Sequence, residues 1–394
     1  MQNTIINEIL KEHEYLSGIR KRLHKFPELA FCETNTTKII KDELLKYGVE
    51  ILELDIETGV LGILKGEKEG QNHVIALRAD MDALPIEEMN DVEYKSTNEG
   101  IMHACGHDGH VAMLLGAAKI LANNKDKFSG VVKFIFQPAE EVGKGAKVMI
   151  ESGVLEDPKV DTIIAFHSWP HLKVGEIGLW EGSYYAAADF FDVKIIGESG
   201  HGAYPHKSKD CLMAGIHAVI GLQPIITRQT DAVENTVISV CRFNAGTADN
   251  IIPQISNFGG TVRTHSDSIR KLIPIKMEKI IKGVSEMYDC DYEFTYNKGM
   301  PMVSNNPEVV RKMSRTIIQT MGEDYVKDLP APVMGSEDFG EYCEHVINSA
   351  IFRIGNTRNN SEERHLHSEY YNFDDGVLPY GVNAFVEFVL RYEK

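Results

Sequence analysis

Four short segments of this chain concentrate residue types that bind metals or move protons. Arg78-Ala79-Asp80-Met81-Asp82 follows an apolar run. His103-Ala104-Cys105-Gly106-His107-Asp108-Gly109-His110 precedes a helical pattern. Gln137-Pro138-Ala139-Glu140-Glu141 and Ala165-Phe166-His167 close two further apolar runs, and a late His365-Leu366-His367 adds a fifth candidate. Taken singly, each has a plain structural reading: an Asp-x-Asp caps a turn, a lone cysteine is a small buried hydrophobe, adjacent glutamates are a solvated surface, and a lone histidine packs in a core. Taken together, thiolate, imidazole and carboxylate suit a borderline metal such as zinc. Cys105 and His107 are two apart in a glycine-containing loop, so both can reach one site, and a thiolate can bridge two ions. Two ions roughly 3.5–4 Å apart clamp a water and make it a nucleophile near neutral pH. Amide hydrolysis also needs a base that takes the water proton and returns it to the leaving nitrogen. The Glu140-Glu141 pair offers one residue as base and one as ligand.

Such residues must be brought together by the elements between them. Apolar runs at 60–64, 74–77, 131–136 and 162–166 read as buried strands. Helical patterns at 4–24, 36–47, 111–121 and 145–151 lie around and between them. Strands alternating with helices predict an α/β fold with a doubly wound sheet, whose ligands sit beyond the carboxyl ends of the strands. The candidate residues fall at those ends. The middle of the chain reads differently: strand 190–196, helix 211–227, strands 236–243 and 255–264, helix 268–288, strand 292–296. That β-α-β-β-α-β order is the split, ferredoxin-like α+β pattern. Helix 307–321, strand 350–354 and helix 376–391 follow. The expected organisation is a mixed-sheet catalytic domain from residues 1–183 and 298–394, with a lid or dimerisation domain at 184–297 inserted.

The segments 77–86, 102–108 and 136–141 resemble the hippurate hydrolase and N-acyl-amino-acid amidohydrolase family, the aminoacylase-like metallopeptidases to which plant auxin-conjugate hydrolases are related. The likeness runs from His24-Lys25-Phe26-Pro27-Glu28 to Leu366-His367-Ser368. It implies a two-metal hydrolase that cleaves the amide bond of N-acyl amino acids. By the same resemblance Cys105, His107, Glu141, His167 and His367 are the metal ligands, with Cys105 bridging, and Glu140 is the general base. Asp82 is a carboxylate that orients a ligand or the base. His201, in Gly200-His201-Gly202-Ala203-Tyr204-Pro205, polarises the scissile carbonyl, in related enzymes from the partner subunit of a dimer. Asn250 and Arg263 contact the substrate carboxylate. Gly335-Ser336-Glu337-Asp338-Phe339 also matches the family, without an assigned role, as does His24. Val142 stands where many relatives carry glycine. Tyr204 and His206 are not typical of every relative. His103 and His110 are read as structural or supporting residues, not ligands.

The 394 residues are 43% hydrophobic and 25% charged, with a formal net charge of -17. That acidity argues against a nucleic-acid partner and against anionic membranes. The opening residues lack a basic and apolar leader, and no run of about 18 apolar residues is seen. The six cysteines show no disulfide or CxxC spacing, so a cytoplasmic location is expected. A small-molecule substrate, two divalent ions (zinc or manganese, with nickel or cobalt possible) and a homodimer complete the expectation. Three rival readings differ in class. A metallo-dipeptidase or carboxypeptidase would use the same metals. A non-catalytic metal-binding protein would be marked by loss of Glu140 or His367, and both are present. A cysteine-nucleophile hydrolase using Cys105 would survive chelation.

Overall fold

The computed structural model describes residues 3–357 and 365–393. The amino-terminal part forms α1 (Asn3–Lys25), α2 (Thr34–Lys46), β1 (Glu50–Leu52), β2 (Val60–Lys65), β3 (Val74–Asp80), α3 (His107–Ala122), β4 (Val131–Gln137), α4 (Gly145–Glu151), β5 (Thr162–Lys173) and β6 (Ile177–Leu179). The middle forms β7 (Ala187–Ile196), β8 (Gly200–His201), α5 (Cys211–Pro224), β9 (Thr236–Ala245), β10 (Ile251–Ile252), β11 (Ile255–Thr264), α6 (Asp267–Met287) and β12 (Asp291–Lys298). The return adds α7 (Pro307–Thr320), β13 (Val326–Asp328), a one-and-a-half-turn helix α8 (Gly340–His345), β14 (Asn348–Thr357) and α9 (Leu378–Leu390).

The chain divides into two compact units. The first comprises Met1–Gly182, Ser304–Pro332 and Glu341–Lys394; the second comprises Ser183–Val303 and Val333–Gly340. The first is built on an eight-stranded mixed sheet of order β1-β2-β4-β3-β5-β14-β6-β13. Its centre is parallel: β3 runs with β4 and β5, and β5 with β14. Antiparallel pairs occur at β1/β2, β2/β4 and β14/β6. The central strands are buried on both faces, which is why they read as largely apolar runs rather than alternating ones, with the charged side chains of Lys133, Arg78 and Asp80 also buried. One continuous core holds Leu77, Phe134, Ile164 and Phe352 of the sheet with Leu114, Leu115 and Phe385 of the covering helices. Each such side chain contributes about 1.5–3 kcal/mol on burial.

Helix α3 begins at His107, four residues before the apolar periodicity that announced it. His107, Asp108 and His110 therefore stand on its first turn. Periodicity cannot see this, because the first turn faces the polar site rather than the core.

The second unit is a four-stranded antiparallel sheet of order β9-β11-β7-β12. Numbered within the unit, that is 2-3-1-4, the ferredoxin-like arrangement. Helices α5 and α6 share a core with the sheet through Ala214, Ala218, Ile273 and Met277 packed on Phe191, Val193 and Ile195. Residues 211–229 are long and apolar enough on composition to cross a membrane; Ala214, Ala218, Leu222 and Ile225 along them are buried in this core. Residues 333–340 return to this unit after α7. Val333 N–H donates to the Tyr184 carbonyl at 2.9 Å, and Ala186 N–H to the Gly335 carbonyl at 3.0 Å.

A buried ion pair closes the second unit. Arg270 of α6 donates to Asp189 of β7 through Nε at 3.0 Å and Nη2 at 2.6 Å, while Tyr296 Oη and Gly299 N–H also donate to that carboxylate. Removing one partner of such a pair leaves an uncompensated charge. Arg270→Met is expected to destabilise the protein by about 3–5 kcal/mol. Urea unfolding followed by circular dichroism measures it; an unchanged midpoint would mean that Asp189 is satisfied without its arginine.

Candidate metal centre

The centre is assembled in the first unit at the carboxyl ends of three neighbouring parallel strands. β3 ends at Asp80, with Asp82 two residues on; β4 ends at Gln137, just before Glu140 and Glu141; His167 lies within β5. Cys105 and His107 straddle Gly106, which occupies the left-handed region at φ 87°. A Cβ on Gly106 would lie 2.6 Å from Tyr371 Oη and 2.8 Å from Ser168 Oγ, so both the turn and the close approach require glycine there. His367 arrives on a loop at φ 62°, its N–H tied to the Ala104 carbonyl at 2.8 Å.

Ligand-type atoms converge from these loops. Two sets of three, each with its atoms within 4.8 Å of one another, share Cys105: one adds His107 and His167, the other Glu141 and His367. His107, Glu140 and Glu141 form a further set. Cys105 Sγ is 3.4 Å from His167 Nε2. Glu141 Oε1 is 3.8 Å from His107 Nε2 and 3.4 Å from His367 Nε2. His107 Nε2 and Glu141 Oε1 are buried without a hydrogen-bond partner among the described residues, a costly state unless another group is there to meet them.

The remaining atoms of these side chains are held from behind. His107 Nδ1 lies 3.0 Å from the Asp82 carbonyl and 3.2 Å from Asp82 Oδ1, so its proton belongs on Nδ1 and the Nε2 lone pair faces the site. Asp82 Oδ2 accepts the Glu141 backbone N–H at 3.0 Å. His167 Nδ1 lies 2.8 Å from the Ser168 carbonyl, and burial, with Arg353 nearby, holds the ring neutral.

The electrostatics are those of a cation site. Hydrogen bonding to Cys105 and Glu141 pushes the His367 imidazolium up to about 10. Burial opposes a charge on His107, yet Asp80 and Cys105 raise it well above its ordinary value. A divalent ion would take the place of those protons, so the donor set fits such ions. Cys105 points the same way: burial and Glu141 push its thiol up. An activated cysteine nucleophile needs the opposite shift, whereas a metal ion would ionise the thiol outright.

Asp80 joins His110, which the sequence placed among structural or supporting residues, in a support whose partners only the fold identifies. Ser168 N–H donates to His110 Nε2 at 2.8 Å, which places the ring proton on Nδ1, 2.6 Å from Asp80 Oδ1. Arg78 Nη1 donates to Asp80 Oδ2 at 2.6 Å. Burial opposes ionisation of Asp80, but His107, His110 and Arg78 outweigh it and hold the carboxyl well below its ordinary range. The chain Arg78–Asp80–His110 thus ends on the backbone beside His167. Its signal was the Asp-x-Asp itself, since alternate residues of an extended segment share a face. His103 is buried with no hydrogen-bond partner on either ring nitrogen among the described residues, and burial lowers it to about 4.

The second unit holds the other candidates. His201 is exposed on β8, which pairs with β10. Ala203 N–H donates to its Nδ1 at 3.1 Å, so the neutral ring carries its proton on Nε2. Gly202 N–H donates to the Asn250 carbonyl at 2.8 Å, bringing those two segments side by side. Arg263 on β11 is half-buried, with Nη1 donating to Ser336 Oγ at 2.8 Å. Ser336 thereby gives the 335–339 segment a defined contact.

Residues 76–391 match peptidase family M20/M25/M40. The chain belongs to that family. It is 37% identical over 390 residues to a hippurate hydrolase of Campylobacter jejuni, covering 99% of this chain and 100% of the relative. It is 43% identical over 290 residues to an N-acyl-L-amino acid amidohydrolase of Geobacillus stearothermophilus, covering 73% of this chain and 77% of that one. A solved Bacillus subtilis structure, described as a dinuclear metal-binding peptidase of the M20 family, superposes with a TM-score of 0.85 at 33% identity, covering 96% and 98% of the two chains. Like those relatives, this chain is a hydrolase. The family likeness at 24–28 gains a structural content as well. His24 is buried between two carboxylates, with Nδ1 2.8 Å from Asp108 Oδ2 and Nε2 3.1 Å from Glu88 Oε1.

Burial opposes a charge on His24, but Asp108 and Glu88 raise it from 6.5 to about 9. A folded-state value above the unfolded one stabilises the protein fully below pH 6.5, and the contribution is lost as pH rises through about 9. His24→Gln is expected to flatten this part of the stability profile. Urea midpoints between pH 6 and 10 for parent and variant test it, and parallel profiles would show that His24 is neutral in the fold.

Proposed function

We propose that this protein is a two-metal amidohydrolase that removes an acyl group from the nitrogen of an amino acid, releasing a carboxylic acid and the free amino acid. The observation that carries the reading is the pair of ligand sets sharing Cys105. Cys105, His107, Glu141, His167 and His367 would hold the ions, with Cys105 common to both. The ligand chemistry suits zinc or manganese, and nickel or cobalt are compatible with it. When bound, such ions supply Lewis-acid polarisation and make water acidic enough to react near neutral pH.

The protein's own groups do the rest. Glu140 takes the proton from the attacking water and delivers it to the leaving nitrogen. Asp82 fixes the His107 tautomer and anchors the backbone of Glu141. His201 offers an Nε2 proton, the donor that an oxyanion needs. Arg263 and Asn250 take the α-carboxylate of the substrate; a guanidinium hydrogen-bonded to a serine and paired with no carboxylate among the described residues is suited to that. We further propose a cytoplasmic homodimer in which the inserted unit serves as lid and dimerisation surface and His201 acts across subunits, with no nucleic-acid or membrane partner. Light scattering that found an active, strict monomer would remove the cross-subunit role.

The peptidase reading keeps the same centre and changes the substrate, and the Bacillus subtilis structure is described as a peptidase. Release of amino acid from N-acetyl, N-benzoyl and indole-acyl amino acids and from plain dipeptides separates the two. Turnover of the acyl amino acids should vanish on chelation and return with zinc or manganese; turnover of dipeptides alone would replace this proposal by the peptidase. Glu140→Gln is expected to retain its metal, measured by elemental analysis, and to lose at least about a thousand-fold in kcat. Near-parental kcat would show that Glu140 is not the base.

A further inference from the structure

Glu33 lies outside every ligand set, yet its side chain reaches the backbone beside Glu140. The residue is fully buried, and its Oε1 accepts the Ala139 N–H at 2.8 Å. Ala139 sits at φ 55°, in the left-handed region that a residue with a Cβ disfavours. Glu140 and Glu141 follow directly, so the direction in which that pair leaves β4 depends on this one backbone conformation.

The loop that supplies Glu33 is itself anchored at both ends. On one side, Leu29 bridges Ala83, and Ala83 N–H donates to the Glu28 carbonyl at 2.8 Å, next to Asp82. On the other, the Glu33 carbonyl accepts Thr37 N–H at 2.9 Å, and the Glu28 carboxylate accepts N–H groups of Asn35 and Thr36 at 3.0 and 2.8 Å. Residues 28–33 are thus clamped to the segment that carries Asp82 and to the segment that carries Glu140 and Glu141.

We propose that Glu33 is a positioning residue, whose carboxyl group holds Ala139 in its left-handed conformation and so sets the directions of Glu140 and Glu141. The inference rests on reading those two residues as base and ligand. Glu33 acts through the backbone and touches none of the ligands. No basic side chain among the described residues pairs with it, so the requirement is an acceptor oxygen at a fixed reach rather than a charge.

Reach and charge are separable by substitution. Glu33→Gln keeps a carbonyl oxygen at the same distance, and its kcat is expected to stay within about three-fold of the parent, whereas Glu33→Asp keeps the charge one methylene short and is expected to lose about 10- to 100-fold, with KM nearly unchanged. Manganese binding, followed by competition with a chromophoric chelator, should weaken about ten-fold in Glu33→Asp and hold in Glu33→Gln. Adding Ala139→Gly to Glu33→Asp should recover part of the loss, because glycine enters the left-handed region freely. Should Glu33→Asp not fold, Glu33→Met removes the acceptor at similar length and carries the same expectation. Equal damage from Gln and Asp overturns the proposal, as does a folded Asp or Met variant with parental kcat and manganese affinity. The manganese titration reads Glu33 even if the acyl amino acids prove not to be substrates, so the two readings fail separately.

Discussion

Asp82 joins two of the loops on which the centre depends. One of its oxygens lies beside His107 Nδ1, the other accepts the backbone N–H of Glu141, and its own carbonyl also faces the His107 ring. A buried carboxylate is expensive unless its lone pairs are used, and here they are used to orient a histidine and to hold a glutamate in place. His107 Nε2 and Glu141 Oε1 are then left facing one another at 3.8 Å, with His367 Nε2 3.4 Å from the same oxygen. The core permits this arrangement because the strands beneath it are buried on both faces and closely packed.

The turns that deliver the candidate ligands share a second physical device. Ala139, Gly106 and His367 all have positive φ, and each is itself a candidate ligand or lies within two residues of one. Non-glycine residues in that region cost of order 1–3 kcal/mol each and persist only where their surroundings over-determine them. At His367 the constraint is the hydrogen bond to Ala104, which ties the loop to the residue preceding Cys105. Gly106 adopts its positive φ without that cost, and a side chain there would run into Tyr371 and Ser168. The backbone, more than the side chains, has been bent to bring thiol, imidazole and carboxylate from distant parts of the chain within reach of each other.

Much of this was legible from residue order, and what was not has identifiable causes. The central strands announced themselves because parallel strands covered on both faces are predominantly apolar, the single Lys133 in β4 notwithstanding. The β-α-β-β-α-β order of the middle segment was legible because its helices and strands switch period cleanly. The three-residue strands β1, β6 and β13 carry too few residues for any pattern. The return of 333–340 to the second unit rests on backbone hydrogen bonds, which side-chain type does not encode. In the site, Cys105, His107, Glu140 and Glu141 stood out by local clustering. His367 stood out only as half of a late His-x-His pair, and its assignment to the ligand set came from the family likeness. The Asp80–His110 contact joins residues thirty positions apart through ring nitrogens whose partners only the folded structure identifies.

Two arginines of the second unit show how structure and function divide the same chemistry. Arg270 and Arg263 project from neighbouring elements of one small domain. Arg270 meets Asp189 in a bidentate pair, and that carboxylate is further satisfied by Tyr296 and Gly299. Its charge is consumed internally. Burial lowers Arg263 from its ordinary value, with only the Asp189 charge, already engaged elsewhere, opposing the shift. Its described contact is a serine hydroxyl, which orients the guanidinium without neutralising it. A half-buried cation oriented by a neutral group suits an anion that comes and goes, and that is the ground on which Arg263 is proposed as a contact of the substrate α-carboxylate.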